Sequence, residues 1–177
     1  MSRREGSIIA VAVLLAPLAK MVEFAAIPAI GGPDILVCLA ICVGWSCDVW
    51  NALPAGFALG LIEDIVTGRA LGSRAVSLAL AAALAAGMKR VVNPDSLSSK
   101  ALAALCGTTL ADCVTWGILA SMGIHIATTH FLRGILVPSA LWAAALVGPL
   151  EFTVKRLASA VQSVWPAPGR TGRETAL

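Results

Sequence analysis

Two adjacent carboxylates, Glu63 and Asp64, lie inside an apolar, glycine-studded stretch that runs from Ala52 to Gly72. An ionised side chain at mid-bilayer costs roughly 3 kcal/mol on insertion scales, so acids in such a segment face a bundle interior or sit near a helix end. On a helix turning about 100° per residue, Gly56, Gly60, Glu63 and Asp64 fall within an arc of roughly 100°. The acids thus share a face with two glycines spaced i, i+4, the pattern that lets another helix backbone come close. This predicts a packing face with polar content rather than a lipid-facing one.

The rest of the chain supports a membrane setting. Of its 177 residues 58% are apolar and only 13% charged, with a mean hydropathy of +0.87, whereas a soluble domain carries about 25% charged residues. The length suits one domain: a transmembrane helical bundle over residues 1–164, then a Pro/Gly-rich polar tail over 165–177 that reads as disordered. The net charge of +3 is spread between apolar stretches and forms no basic patch, which speaks against nucleic-acid binding. Cys38, Cys42, Cys47, Cys106 and Cys113 lie in apolar stretches without a CxxC pair, so they read as packing residues and no metal site is expected. The opening MSRREGSIIAVAVLLAPLAK has the layout of a signal peptide, but in a chain that stays apolar afterwards it reads better as a first membrane helix.

Six apolar segments predict an all-α, polytopic membrane helix bundle of about six spans: Ser7–Ile27, Ile35–Val49, Leu53–Val66, Ala75–Met88, Ala101–Ser121 and Phe131–Val154. The second and third are short, joined by a turn at Asp48-Val49-Trp50-Asn51, and fit either two short spans or a re-entrant pair. One set of ends holds Arg3, Arg4, Lys89, Arg90, Lys100, Lys155, Arg156, Arg170 and Arg173; the opposite set holds Arg69, Arg74 and Arg133. By the positive-inside rule both termini are cytoplasmic. Trp50 and Trp165 suit the cytoplasmic interfacial belt, and Pro17, Pro28, Pro138 and Pro149 are expected to bend or end helices.

Three polar sites call for partners. Glu63 and Asp64 fit a cap on the loop that follows them, with Arg69 and Arg74 alongside, or an ordering of that loop for a protein partner. Lys20 and Glu23, at i, i+3, fit a self-neutralised pair near the interface, or charges that link the bundle or face a partner. Asp112, flanked by Thr108 and Thr115 on one face, must be neutral or paired, with Lys20 as one candidate. His125 and His130, five residues apart, are too few for a metal site. No GxSxG or HExxH is present. Asp64 and Asp112 do not stand in the GxGD context of intramembrane aspartyl proteases. No catalytic residue, cofactor or metal is expected.

The string Gly60-Leu61-Ile62-Glu63-Asp64, then Gly68, then Leu71-Gly72 and an apolar helix from Ala75, resembles the G-L-hydrophobic-x-D…G…L-G stretch of the rod shape-determining protein MreD family. Glu63 departs mildly from that pattern, since many members carry a non-acidic residue there. The resemblance implies a non-enzymatic component of the bacterial cell-elongation complex in the inner membrane. Its expected partners are the bitopic protein MreC and, through it, MreB filaments, the glycosyltransferase RodA and its transpeptidase in lateral peptidoglycan synthesis. It also implies an architecture like the substrate-binding S-component of energy-coupling-factor transporters. A vitamin-binding subunit is therefore the alternative, although an outer half offering mainly Phe24, His125, His130 and Phe131 is poor in groups for such a pocket.

Overall fold

The computed structural model describes residues 3–26, 34–68, 72–93, 96–123 and 136–164. Among these the fold is all-helical: α1 Arg3–Ala26, α2 Ile35–Ser46, α3 Val49–Thr67, α4 Ser73–Met88, α5 Leu97–Ser121 and α6 Val137–Val164. Three helices are long and apolar enough to cross a membrane: α3, α5 and α6 from Val137 to Ala160.

The third segment is longer than its sequence pattern suggests. Asp48 is the N-cap, so Val49, Trp50 and Asn51 already belong to α3, and the α2–α3 turn contracts to Cys47 and Asp48. Pro54 stands in the second turn of this helix, where its missing N–H leaves the Trp50 carbonyl without its usual i+4 donor, and the helix continues through it. The expected short third span is thereby corrected to 19 residues.

Helix α2 organises the bundle. It has only 12 residues, about 18 Å at 1.5 Å per residue, and every residue from Leu36 to Trp45 is buried. Its apolar residues run all round the helix, which is the mark of a helix with no solvent or lipid face. It touches each of the other five helices, and these close a ring around it in the order α1–α3–α4–α5–α6–α1. Cys38 and Cys42 pack on this core, and Cys42 Sγ lies 3.8 Å from the Val147 carbonyl of α6.

Small residues bring the backbones together around α4. A Cβ on Gly56 would stand 2.6 Å from the Leu78 carbonyl oxygen, and one on Gly60 would stand 2.5 Å from that of Arg74. Gly44 of α2 is pressed against Ala82 in the same way, and Gly107 of α5 makes room for Ile41. α4 answers with Ala75, Ala79, Ala82 and Ala85, all buried. The glycine face of α3 therefore lies on α4.

Candidate functional site

At the end of the bundle where α4 begins, each of the six helices contributes a polar residue to one buried cluster. Lys20 comes from the last two turns of α1, Asp34 from the N-cap of α2, Glu63 and Asp64 from the end of α3, and Arg74 from the first turn of α4. Asp112 comes from α5, nine residues before its end, and Ser139 from the first turn of α6. Lys20, Glu63, Asp64, Arg74, Asp112 and Ser139 are all buried.

The two acids of the opening motif have separate tasks. Asp64 faces the start of α4: its Oδ2 accepts the N–H of Gly72 at 2.8 Å and of Ala75 at 3.3 Å, and its Oδ1 accepts that of Arg74 at 3.3 Å. These are among the N–H groups that a helix N-terminus leaves unpaired, and a negative side chain there is further favoured by the helix dipole. Gly68 closes α3 at φ 63°, and Gly72 opens α4 at φ 98°. Both angles lie in the left-handed region that side chains resist, so glycine suits both corners of this short connection.

Glu63 points to the cations instead. Its Oε1 lies 3.2 Å from Lys20 Nζ and 3.3 Å from Arg74 Nε. Arg74 is the hub: its Nη2 pairs with Asp34 Oδ2, and its Nη1 lies 3.5 Å from Asp112 Oδ1. The other Asp112 oxygen accepts from Ser139 Oγ at 2.8 Å. Thr108 and Thr115 continue the Asp112 face inside the bundle, and Thr115 Oγ1 lies 3.0 Å from Ser77 Oγ of α4. Asp34 Oδ1 accepts the Val37 N–H at 3.4 Å and lies 4.0 Å from Lys20 Nζ.

Several of the sequence expectations change here. The cation beside Asp112 is Arg74, while Lys20 meets Glu63 and Asp34. Arg74, counted above with the outer loop charges, is an interior residue that neutralises three helices. Asp34 was missed, although Gly31-Gly32-Pro33-Asp34 ahead of an apolar run is an N-cap signature. Ser139 gave no signal, because a lone serine in an apolar segment is unremarkable. Leu71, Arg69, His125, His130, Trp165 and the tail over 165–177 lie outside the described residues, as does the side chain of Glu23.

The opposite end is tied more loosely. Asn51 Nδ2 donates to Glu5 Oε2 at 3.2 Å, Lys89 Nζ to the Cys47 carbonyl at 2.6 Å, and Glu151 accepts from Lys155 and from Lys100 at 2.9 Å. These contacts fix the alternation of the helices: the first turns of α1, α3 and α5 lie at the same end as the last turns of α2 and α4 and the second half of α6.

A polytopic membrane helix bundle, with a central helix enclosed by five and a buried ionic cluster at one end, is the class of protein defined by this arrangement. The family model for rod shape-determining protein MreD matches residues 3–161, close to the whole chain. The chain belongs to that family, and is therefore a rod shape-determining membrane protein. No curated protein and no solved structure matches it, so the likeness to transporter S-components rests on the family resemblance alone.

Proposed function

We propose that this protein is a non-enzymatic scaffold of the bacterial cell-elongation complex, set in the inner membrane with both termini cytoplasmic. In this reading it holds the membrane helix of an MreC-like protein beside RodA and its transpeptidase, and supports lateral peptidoglycan synthesis, with MreB engaged indirectly. The observation that carries the reading is the internal use of the glycines and acids on the α3 face and of Asp112. Gly56 and Gly60 are taken up by α4, Asp64 by the α4 N-terminus, and Glu63 and Asp112 by Arg74 and its neighbours. The chemistry of the motif builds the bundle, and the partner is left the outward faces of the ring.

Those faces are apolar and ridged. Leu14, Leu18 and Met21 project from α1, Phe57 and Ile65 from α3, Leu102 from α5, and Leu141 and Phe152 from α6. A single partner helix in lipid gains from such ridges by van der Waals packing and close fit. The vitamin-binding alternative is less well supported, because the end where a ligand would enter is filled by ion pairs.

Crosslinking tests the proposal. Cys106 and Cys113 are exposed and seven residues apart on α5; they and cysteines placed at Phe57, Leu14 and Leu141 would be paired with single cysteines along a co-expressed MreC helix. Crosslinks confined to one face support the scaffold reading. A well-inserted chain that yields none from any of these helices rejects it.

A further inference from the structure

The buried cluster contains, among the described residues, more carboxylates than cations. Among the described residues Lys20 and Arg74 stand against Asp34, Glu63 and Asp112, while Asp64 is matched separately by three backbone N–H groups. Net negative charge in a dry interior is strongly unfavourable unless something compensates it. No group of three or more His, Cys, Asp or Glu side chains arranged to hold a metal ion occurs among the described residues. The smallest compensating cation is a proton.

Oxygen by oxygen, among the described residues, one carboxylate atom lacks a donor. Both Asp64 oxygens accept backbone N–H groups, so neither lacks a donor. Asp112 offers one oxygen to Arg74 and accepts from Ser139 with the other. Asp34 offers one to Arg74 and the other to the Val37 N–H. Glu63 shares Oε1 between Lys20 and Arg74, but its Oε2 is wholly buried and has no hydrogen-bond partner among the described residues. A charged oxygen without a donor is far costlier to bury than a neutral hydroxyl without an acceptor.

We propose that Glu63 carries a proton on Oε2, making the six-helix cluster a binding site for a single proton. The charged and titratable groups gathered around it are Lys20 from α1, Asp34 from α2, Asp64 beside it on α3, Arg74 from α4 and Asp112 from α5; α6 contributes the neutral Ser139. With the proton in place, Lys20 and Arg74 balance Asp34 and Asp112. Its removal creates a carboxylate oxygen with no donor among the described residues at the point where all six helices meet, so deprotonation loosens this end of the bundle first.

Infrared spectroscopy of the full chain in lipid nanodiscs tests this directly. At neutral pH the wild type is expected to show the C=O stretch of a protonated carboxylic acid. That band should shift when glutamate is supplied with a 13C-labelled side-chain carboxyl, disappear in Glu63→Gln, and persist in Glu151→Gln. Absence of the band in the wild type overturns the proposal, and so does a band unmoved by the glutamate label or surviving in Glu63→Gln. Should Glu63→Gln fail to fold, labelled Glu5→Gln, Glu23→Gln, Glu151→Gln and Glu174→Gln chains decide: a shifted band in all four supports Glu63, and its loss in any of them overturns it. The thermal midpoint supplies a second readout. A folded state that holds the proton is stabilised in full below the pKa of a free glutamate, about 4.3, and loses that stability as pH rises from there until the proton leaves, so the wild-type midpoint should fall over that range relative to that of Glu63→Gln; parallel curves count against the site.

Discussion

Asp64 and Gly72 are joined by a 2.8 Å hydrogen bond from the glycine N–H to the carboxylate, so the side chain that closes the start of α4 comes from α3. The cap and the helix it serves are held in register by the same contact. Loss of a helix cap costs about 1 kcal/mol, and each buried N–H left unpaired adds about 1–3 kcal/mol. Asp64→Asn, which keeps one acceptor oxygen, is expected to lose about 1 kcal/mol. Asp64→Leu, which strands three donors, is expected to lose about 3 kcal/mol or more. Reversible unfolding in mixed micelles measures both.

The glycines separate by position, not by helix propensity. Gly60→Ala drives a methyl against the α4 backbone and is expected to cost about 1–3 kcal/mol, the range for overpacking a tight interface. Gly87, in α4, has open space where its Cβ would stand. There alanine should gain up to about 1 kcal/mol from helix propensity alone. Equal effects at the two sites, measured in the same unfolding assay, would show that the α3–α4 contact is looser than described.

Arg74 is not interchangeable with lysine. Its Nη2, Nε and Nη1 face Asp34, Glu63 and Asp112 respectively, and a single ammonium cannot serve three directions at once. Removing one partner of a buried ion pair costs about 3–5 kcal/mol. Arg74→Leu should therefore lower the amount of folded chain in the membrane sharply, and Arg74→Lys should restore only part of it. Arg90, whose partner Asp48 is 4.0 Å away in an exposed pair, provides the contrast: Arg90→Ala is expected to change stability by less than about 0.5 kcal/mol.

The five cysteines should label in two groups. Burial pushes the Cys47 thiol up to about 11, with nearby Glu5 adding to the effect. Thiolate is the reactive form, so alkylation of Cys47 is negligible at pH 8 and rises only in strong alkali. Cys38 and Cys42 are buried in α2, whereas Cys106 and Cys113 are exposed on α5. A membrane-permeant maleimide at pH 8 is expected to add faster to Cys106 and Cys113, on the outward face of α5, than to the three enclosed thiols, resolved by mass spectrometry of peptides. Rapid labelling of Cys47 would mean that the α2–α3 turn opens readily.

Much of this was legible in the sequence, for physical reasons. Segment boundaries follow from apolar runs, and the acid–glycine face of α3 follows from the 100° step, because both are local properties of the chain. The partners of Asp112 and Lys20 were not legible. Arg74 is 38 residues from Asp112 and sits beside a loop, where a basic residue ordinarily belongs to the solvent; only the packing of α4 against α5 turns it inward. The length of α3 was misjudged because Trp50 and Asn51 look like turn residues, although Asp48 ahead of them is a helix N-cap.

The enclosure of α2 bears on how the chain is put together during synthesis. At about 18 Å it falls short of the roughly 30 Å hydrocarbon layer, so on its own it is a poor resident of the bilayer. Its walls arrive one after another from the ribosome, and the last of them, α6, seals the gap between α5 and α1. Until that final segment emerges, the central helix is open along one seam, and a chain that stops before Val137 leaves its core facing lipid.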